Sequence, residues 1–355
     1  MTASPQSVVE DFGWFLDDFD PARREFVFAR TTRDEVSRQV FLDARWQRSD
    51  NGSLRLPLDA VIASLPPANP PASLPMLNFI WHTSFCCSTL VARALDRPGR
   101  SLSLREPKVL VALADALRAG LFPNSLPALT LDAAFTLLGR APEPGCRITV
   151  KPSNFANVLL RQAARRSGGK ALFLYSDLAS FLVSVAKGGV QQGRYVRRLF
   201  GNIAMDLGQP LTWSGAELLA LSDLELAAIV WHRQIAEFRR SWAELGDARA
   251  VSLDCDAFLD NPGGMLAALD VHFELGLGPE HVRSVLEGPI LKSHAKQTSQ
   301  LFTAQMRRDE DEAVRKRLGA SLDEVVAWSY QACPETPRGT PLPNPLAPSS
   351  GPGNA

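Results

Sequence analysis

The chain has 355 residues, of which 45% are hydrophobic and 21% are charged, the composition of an ordinary globular protein. Its 38 Lys and Arg residues balance 38 Asp and Glu residues, so no net charge draws it to nucleic acid or to an acidic membrane. No apolar run approaches the ~20 residues that span a bilayer, and the N-terminus lacks the pattern of a secretory signal. The five cysteines are unevenly spaced, which does not indicate a disulfide framework. We therefore expect a cytoplasmic protein with no nucleic-acid partner and no membrane span.

Residues 1–75 are expected to form a β-rich extension that ends in a Pro-rich linker. A short helix is predicted near 8–19. The runs FVFAR (26–30) and VFLDARW (40–46) predict an antiparallel hairpin or small sheet. The stretch SLPPANPPASLP (64–75) has the composition of a stiff connector.

Residues 76–333 alternate apolar strands with helices, which predicts an α/β domain with a parallel sheet covered on both faces. The segment 334–355 is rich in Pro, Gly and Ser and predicts a disordered tail. The predicted strands are 77–81, 101–105, 147–151, 171–176 and 250–255. The predicted helices are 88–96, 107–119, 154–166, 177–187, 194–206, 222–245 and 262–274.

Ligands of such sheets bind at the carboxyl ends of the strands, so the residues that follow each strand are candidates for a site. These residues are His82 to Thr89, Glu106, Lys151 to Asn154, Asp177, and Asp254 to Asp256.

The segment LNFIWHTSFCCSTLVAR (77–93) is the most informative of these. An apolar strand ends at His82, a loop of small and polar residues follows, and a helical pattern begins at Ser88 and Thr89. Such a junction directs backbone N–H groups and a helix N-terminus at one spot, which favours an anion. The loop lacks the Gly and Lys residues of a Walker A motif, so ATP or GTP hydrolysis is not expected.

This segment resembles the 5′-phosphosulfate loop of the sulfotransferase family, whose donor is 3′-phosphoadenosine-5′-phosphosulfate. The loop of that family ends as Cys87-Ser88-Thr89-Leu90 does here. The segments LREP (104–107) and FLDARW (41–46) are similar to segments of bacterial sulfotransferase-like proteins, and VSLDCDAFLDNP (251–262) resembles a late strand of the family. Ser184 falls where the family has a serine that binds the 3′-phosphate.

The resemblance covers roughly 76–330. It implies a P-loop-like three-layer sandwich with a central parallel sheet and a small N-terminal β-rich extension. It also implies transfer of a sulfuryl group to a hydroxyl or amine of a small-molecule acceptor, without a metal. We assign to the donor Ser84, Phe85, Cys86, Cys87, Ser88, Thr89, Ser184 and Lys296 on this resemblance, and Arg194 as a replacement cation.

Two positions depart from the family pattern. A Lys or Arg is often found at the position of Phe85, and an Arg is expected at the position of Ser176. Charge-assisted contacts are roughly twice as strong as neutral ones, so replacement cations are needed. The candidates are Lys151, Arg194, Arg197, Arg198, Lys292 and Lys296.

Sulfuryl transfer needs a base for the acceptor and positive groups around the transferring SO3. Glu106 is the first choice for the base because it follows a strand and precedes Pro107 at a helix start. His82 is the second choice, and Lys151 would stabilise the leaving oxygen. The acceptor pocket is expected in 110–145 and 190–220, whose apolar content suggests a lipid or another hydrophobic molecule.

Two other functions stay open. Cys87 and Arg93 have the C-x5-R spacing of cysteine-dependent phosphatases, in which a thiolate attacks phosphorus. The loss of cations at Phe85 and Ser176 would also suit a non-catalytic binding or scaffold protein. The run MRRDEDEAVRKR (306–317) predicts an exposed helix with internal ion pairs.

Overall fold

The computed structural model describes residues 4–46, 52–66, 75–122, 126–206, 213–294, 297–301 and 304–349. The N-terminal part is a three-stranded antiparallel sheet, β1-β2-β3, packed with three short helices. Its elements are α1 (Pro5–Glu10), β1 (Trp14–Asp20), β2 (Glu25–Arg30), α2 (Arg33–Arg38), β3 (Ser53–Pro57) and α3 (Leu58–Ser64).

The N-terminal sheet exists as predicted, but two of its predicted elements were wrong. The helix predicted near 8–19 ends at Glu10, and the aromatic-rich segment from Trp14 onward is a strand. The predicted strand 40–46 is irregular. Leu42 instead bonds to the chain at the end of a distant strand, its N–H donating to the Arg105 carbonyl at 2.7 Å. Most of the predicted connector 64–75 lies outside the described residues.

The centre of the molecule is a five-stranded parallel sheet, as the sequence predicted. Its spatial order is β5-β6-β4-β7-β8, so β4 is the middle strand. A separate antiparallel pair, β9 and β10, follows late in the chain. The strands are β4 (Leu77–His82), β5 (Ser101–Arg105), β6 (Arg147–Lys151), β7 (Ala171–Tyr175), β8 (Ala250–Asp254), β9 (Ser293–His294) and β10 (Gln297–Leu301).

Helices cover both faces of this sheet and make a three-layer sandwich. Alternate strand residues point to opposite faces, so Phe79 and Trp81 join one hydrophobic core and Ile80 joins the other. The face of Ile80 is covered by α4 (Ser88–Ala94), α12 (Cys255–Asp260), α13 (Pro262–Phe273) and α14 (Gly278–Glu287).

The opposite face packs against α5 (Lys108–Arg118), α6 (Leu126–Leu138), a 3₁₀ helix (Asn154–Leu159), α7 (Leu160–Arg166), α8 (Leu178–Lys187), α9 (Gly189–Asp206) and α11 (Asp223–Leu245). The remaining helices are α10 (Gly215–Ala220), α15 (Ala304–Leu318) and α16 (Ala320–Ala332). Of the helices in the described ranges, none has both the length and the apolar composition required to cross a bilayer.

The segment 334–349, which the sequence predicted to be disordered, lies along the outer edge of β8. The Ser252 N–H donates to the Asn344 carbonyl at 3.1 Å, and the Leu346 N–H donates to the Ser252 carbonyl at 2.7 Å. Leu342 is buried in the main hydrophobic core. Proline removes N–H donors without removing carbonyl acceptors, so a Pro-rich segment can still pair with one sheet edge.

Candidate functional site

The loop 83–87 connects β4 to α4 at the carboxyl edge of the sheet. From β4 the chain continues to β5 on one side, whereas from the adjacent β7 it continues to β8 on the other side. The carboxyl ends of β4 and β7 therefore form the topological switch point, where ligands of open parallel sheets bind. The fold thus places the predicted loop at the crevice of the sheet.

The loop backbone is held in an unusual conformation. Ser84, Phe85 and Cys87 have φ angles of 76°, 54° and 61°, in the left-handed region that favours glycine. Each such residue costs on the order of 1–3 kcal/mol, and the surrounding structure must hold it in place. No glycine occurs between His82 and Leu90, so side-chain contacts have to supply that support.

His82 supports the loop from within. The Ser84 N–H donates to His82 Nδ1 at 3.2 Å, so Nε2 carries the proton and donates to the Pro152 carbonyl at 3.0 Å. Both ring nitrogens of this buried histidine are engaged. This geometry favours a positioning role for His82 over the role of base.

A buried polar network holds the other side of the loop. Ser84 Oγ donates to Asn154 Oδ1 at 2.7 Å and lies 2.6 Å from the Tyr195 hydroxyl. Asn154 Nδ2 donates to the His82 carbonyl at 2.5 Å, and Gln234 Nε2 donates to the Thr83 carbonyl at 3.2 Å. Burial raises the pKa of Tyr195 well above its usual range, so its hydroxyl stays protonated. Sequence analysis missed Tyr195 and Gln234 as parts of the site.

The two positions that depart from the sulfotransferase pattern contact each other. Ser176 Oγ donates to the Phe85 carbonyl at 3.2 Å, and the buried Ser176 carbonyl accepts from Trp231 Nε1 at 2.9 Å. The Phe85 ring packs against Phe181 and Tyr195, with centroids 5.5 and 5.9 Å away. Neutral contacts therefore occupy the places where the family resemblance predicts cations.

Ser88 and Thr89 begin α4 and are both buried. Within the part of the chain that the structure describes, neither hydroxyl forms a hydrogen bond with another protein group. Both residues lie in the first turn of α4, where the helix N-terminus adds a partial positive charge. These two hydroxyls are suited to an anionic oxygen.

Glu106 and Lys151 form an ion pair beside the loop. Lys151 Nζ donates to Glu106 Oε1 at 2.7 Å, and Arg45 Nη2 lies 3.2 Å from Glu106 Oε2. The Lys151 side chain is 1% exposed and that of Glu106 is 16% exposed. The Arg45 guanidinium stacks on the Phe41 ring at 3.6 Å, so the irregular segment 41–46 covers this pair. The structure thus brings together two of the three predicted catalytic residues.

Cys87, the last residue of the loop, belongs to a group of two thiols and a cation. Cys255 Sγ donates to Cys87 Sγ at 2.6 Å, and Arg307 Nη1 lies 2.6 Å from Cys87 Sγ. Arg307 comes from α15, which also sends Arg315 to Ser180 Oγ at 2.8 Å. The largely exposed helix predicted over 306–317 is confirmed, with an internal ion pair between Arg307 and Asp311, but the contacts of Arg307 with Cys87 and of Arg315 with Ser180 were missed.

The other predicted donor residues lie outside this group. Ser184 lies six residues into α8, about 9 Å along the helix axis from its start. Arg194 is exposed on α9, whereas Arg198 stacks on Phe155 at 4.8 Å, beside Tyr195. Lys292 donates to the Glu287 carbonyl at 2.7 Å. Lys296 lies outside the described residues.

Three further points concern the predicted Cys87–Arg93 pair, the loop residue Cys86 and metal binding. Arg93 is in the last turn of α4, about 9 Å along the axis from Cys87, and the arginine beside the Cys87 thiol is Arg307. Buried Cys86 donates to the Leu174 carbonyl at 3.4 Å, and burial raises its pKa to about 11. In the described ranges, no cluster of three or more His, Cys, Asp or Glu residues could hold a metal ion.

A cleft of about 400 Å³ lies between α5, α7, α9 and α11. Gln234 is shared between this cleft and the loop network, because its side chain lines the cleft and donates to Thr83. The charged residues of its lining are Arg161, Arg165, Asp206, Arg233, Glu237 and Arg240. The two segments in which the acceptor pocket was predicted contribute Leu117, Ile203 and Asp206 to this lining.

Comparison of the chain with protein-family models and with curated proteins finds no match. The sulfotransferase resemblance therefore stays a prediction from the sequence.

Proposed function

We propose that the protein transfers a sulfuryl group from 3′-phosphoadenosine-5′-phosphosulfate to a hydroxyl or amine of a small acceptor. The observation that carries this proposal is the 83–87 loop at the switch point, followed by Ser88 and Thr89, whose hydroxyls have no hydrogen-bond partner among the described residues. The Glu106–Lys151 pair lies at the carboxyl ends of β5 and β6 in the same sheet. An anion-binding junction without a Walker lysine is better suited to a phosphosulfate donor than to nucleotide hydrolysis.

The proposed donor site uses cations that differ from those of the family pattern. The loop amides, Ser88 and Thr89 hold the phosphosulfate, and Arg307 supplies positive charge at the Cys87 end of the loop. Arg307 reaches this place from α15, so it takes over the task of the cation absent at Phe85. The nucleotide end of the donor would lie towards α8 and α15, where Arg315 meets Ser180.

In the proposed reaction Glu106 removes the proton of the acceptor hydroxyl. The acceptor oxygen then attacks sulfur, and the bond from sulfur to the 5′-phosphate oxygen breaks. Lys151, held by Glu106, offers its remaining N–H donors to that leaving oxygen. His82 keeps the Ser84 amide in place through Nδ1. Glu106 is preferred over His82 as the base because the one acceptor nitrogen of His82 already accepts from the Ser84 N–H, whereas each Glu106 oxygen keeps a second lone pair beside its ion-pair contact.

The test is calorimetric titration with 3′-phosphoadenosine 5′-phosphate, followed by transfer of labelled sulfate to a panel of hydroxyl and amine acceptors. Ser88→Ala and Thr89→Ala should each weaken nucleotide binding about tenfold, because each removes a hydrogen bond to a charged group. Ser321→Ala, at an exposed position of α16, is the matched control and should bind as the wild type does.

Glu106→Gln should keep nucleotide affinity and lower the transfer rate about 10²-fold or more, the usual contribution of a general base. Failure of the wild type to bind the nucleotide at high micromolar concentration would overturn the proposal. Binding without transfer to any acceptor would favour the non-catalytic binding protein. Phosphatase activity that Cys87→Ser abolishes would favour the cysteine-dependent enzyme.

A further inference from the structure

Cys87 and Cys255 are brought together from distant parts of the chain. Cys87 ends the loop after β4, Cys255 begins α12 after β8, and 168 residues separate them. Their sulfur atoms are 2.6 Å apart, whereas the sulfur atoms of a disulfide are about 2.05 Å apart. A small movement of one side chain would therefore bring the two sulfurs to bonding distance.

Arg307 makes this pair chemically distinct from the other cysteines. Its Nη1 lies 2.6 Å from Cys87 Sγ and 3.2 Å from Cys255 Sγ, and its Nε lies 3.5 Å from Asp311. The Cys255 thiol and the Arg307 charge lower the pKa of Cys87, although burial and Asp256 oppose them. Burial raises the pKa of Cys255, so Cys87 is the sulfur of the pair that loses its proton more readily.

We propose that Cys87 and Cys255 form a site of reversible oxidation, at which a peroxide converts the two thiols to a disulfide. The half-buried Cys87 is the sulfur that meets the oxidant, and the fully buried Cys255 is the resolving thiol. This inference does not rest on the sulfuryl-transfer proposal: Cys87 and Arg307 are shared with the proposed donor site, but the oxidation needs no donor.

The reaction proceeds in two balanced steps. The Cys87 thiolate attacks one oxygen of hydrogen peroxide, the O–O bond breaks, and a sulfenic acid and hydroxide are formed. The Cys255 sulfur then attacks the Cys87 sulfur, the S–O bond breaks, and a disulfide and water are formed. Each sulfur loses one electron, and the peroxide gains both.

The other cysteines of the chain are poor substrates for this reaction. The neighbouring Cys86 points inward to the Leu174 carbonyl and is 1% exposed. Cys146 and Cys333 are buried, and burial raises their pKa values to about 11 and about 12. Since the described residues contain no third metal ligand beside the two sulfurs, oxidation is favoured over metal binding.

The experiment exposes the folded full-length protein to a small excess of hydrogen peroxide and counts free thiols. Two of the five thiols should disappear, and peptide mapping should find a link between Cys87 and Cys255 that dithiothreitol reverses. The oxidised protein should also unfold at a higher temperature, because a cross-link over a long loop restricts the unfolded chain. Loss of thiols at other cysteines, or no 87–255 link in wild type, overturns the proposal.

Two pairs of variants separate the roles of the residues. Cys255→Ser should leave a sulfenic acid at Cys87 that a 1,3-dicarbonyl reagent traps, whereas Cys87→Ser should give neither product. Arg307→Gln should slow oxidation at neutral pH about tenfold, the effect of one pKa unit on the thiolate fraction. Arg308→Gln, one residue away and 57% exposed, is the control and should react at the wild-type rate. Equal rates for Arg307→Gln and wild type would contradict the role of Arg307.

Discussion

The hydroxyl of Ser84 lies between Asn154 Oδ1 and the Tyr195 hydroxyl, at 2.7 and 2.6 Å. Ser84 donates to the amide oxygen, so its own oxygen accepts from the protonated Tyr195. These bonds hold a residue with a φ of 76°, which is an unfavourable angle for any side chain other than that of glycine. The loop geometry at the sheet edge therefore depends on a tyrosine of α9, far along the chain.

We predict that Ser84→Ala and Tyr195→Phe are energetically coupled. Each variant should lower the free energy of unfolding by about 1–2 kcal/mol, because each breaks a buried hydrogen bond. The loss of unfolding free energy in the double variant should be about 1 kcal/mol smaller than the sum of the losses in the two single variants, since both changes remove the same contact. Urea unfolding of the wild type, the single variants and the double variant measures this coupling.

The control for this cycle is Tyr330→Phe. The Tyr330 hydroxyl forms no hydrogen bond with the described residues, so this substitution should change stability little and should add independently to Ser84→Ala. Strict additivity of Ser84→Ala with Tyr195→Phe would show that the 2.6 Å contact contributes nothing to the fold.

At the scale of elements, the edge strand β8 is covered by the Pro-rich segment 334–349. Besides the two backbone bonds to Ser252, the Ser252 hydroxyl donates to the Pro343 carbonyl at 2.7 Å. Asn344 Nδ2 donates to the Ala250 carbonyl at 2.8 Å. An uncovered edge strand is a template for pairing with another chain, so this segment protects the sheet.

We predict that deletion of 334–355 lowers the free energy of unfolding by about 3 kcal/mol or more, because several hydrogen bonds and the burial of Leu342 are lost. It should also promote association through the exposed β8, visible by light scattering. Deletion of 350–355 removes none of these contacts and serves as the control. A 1–333 chain that stays monomeric and fully stable would show that the segment does not support β8.

At the scale of the whole molecule, the N-terminal sheet and the α/β domain share one hydrophobic core. Buried Arg105 of β5 donates to the Ser37 and Gln39 carbonyls at 2.7 and 2.6 Å. Arg140 donates to the Val8 carbonyl at 2.7 Å, and burial lowers its pKa to about 10. The sequence pattern therefore changes at the predicted boundary, residue 75, but the hydrophobic core includes residues from both sides of it.

The sequence was sufficient to predict the parallel sheet, because each central strand is a short apolar run between polar residues. It also made Glu106 and Lys151 candidates, since Glu106 follows β5 and Lys151 ends β6, and the carboxyl ends of these strands meet at one edge. The sequence was insufficient to predict that Cys255 and Arg307 contact Cys87, because these residues are 168 and 220 positions away along the chain. The irregular course of 40–46 was missed for the same reason, because a long-range bond to Arg105 outweighs local strand propensity.

The free energy of unfolding should vary with pH through His232, a fully buried residue of α11. His232 Nε2 lies 3.0 Å from Ser329 Oγ, which itself donates to the Val326 carbonyl, so Nε2 carries the proton. His232 Nδ1 is buried and has no partner among the described residues. Burial, with a smaller effect of Arg233, lowers the pKa of His232 to about 4. The native protein thus keeps this imidazole neutral while the unfolded chain, with a pKa of about 6.5, takes up a proton.

Between these two pKa values the unfolded state binds more protons, so the free energy of unfolding falls as the pH falls. At about pH 5 the titration of His232 should have lowered the free energy of unfolding by about 2 kcal/mol, because each pH unit below 6.5 costs 1.36 kcal/mol. His232→Gln removes this titration and keeps an amide near Ser329. Urea unfolding at about pH 7.5 and about pH 5 should therefore show a smaller acid loss in the variant than in the wild type, by about 2 kcal/mol. Equal losses in both proteins would mean that His232 is protonated in the native state at pH 5, and that the buried Nδ1 then has a partner or reaches water.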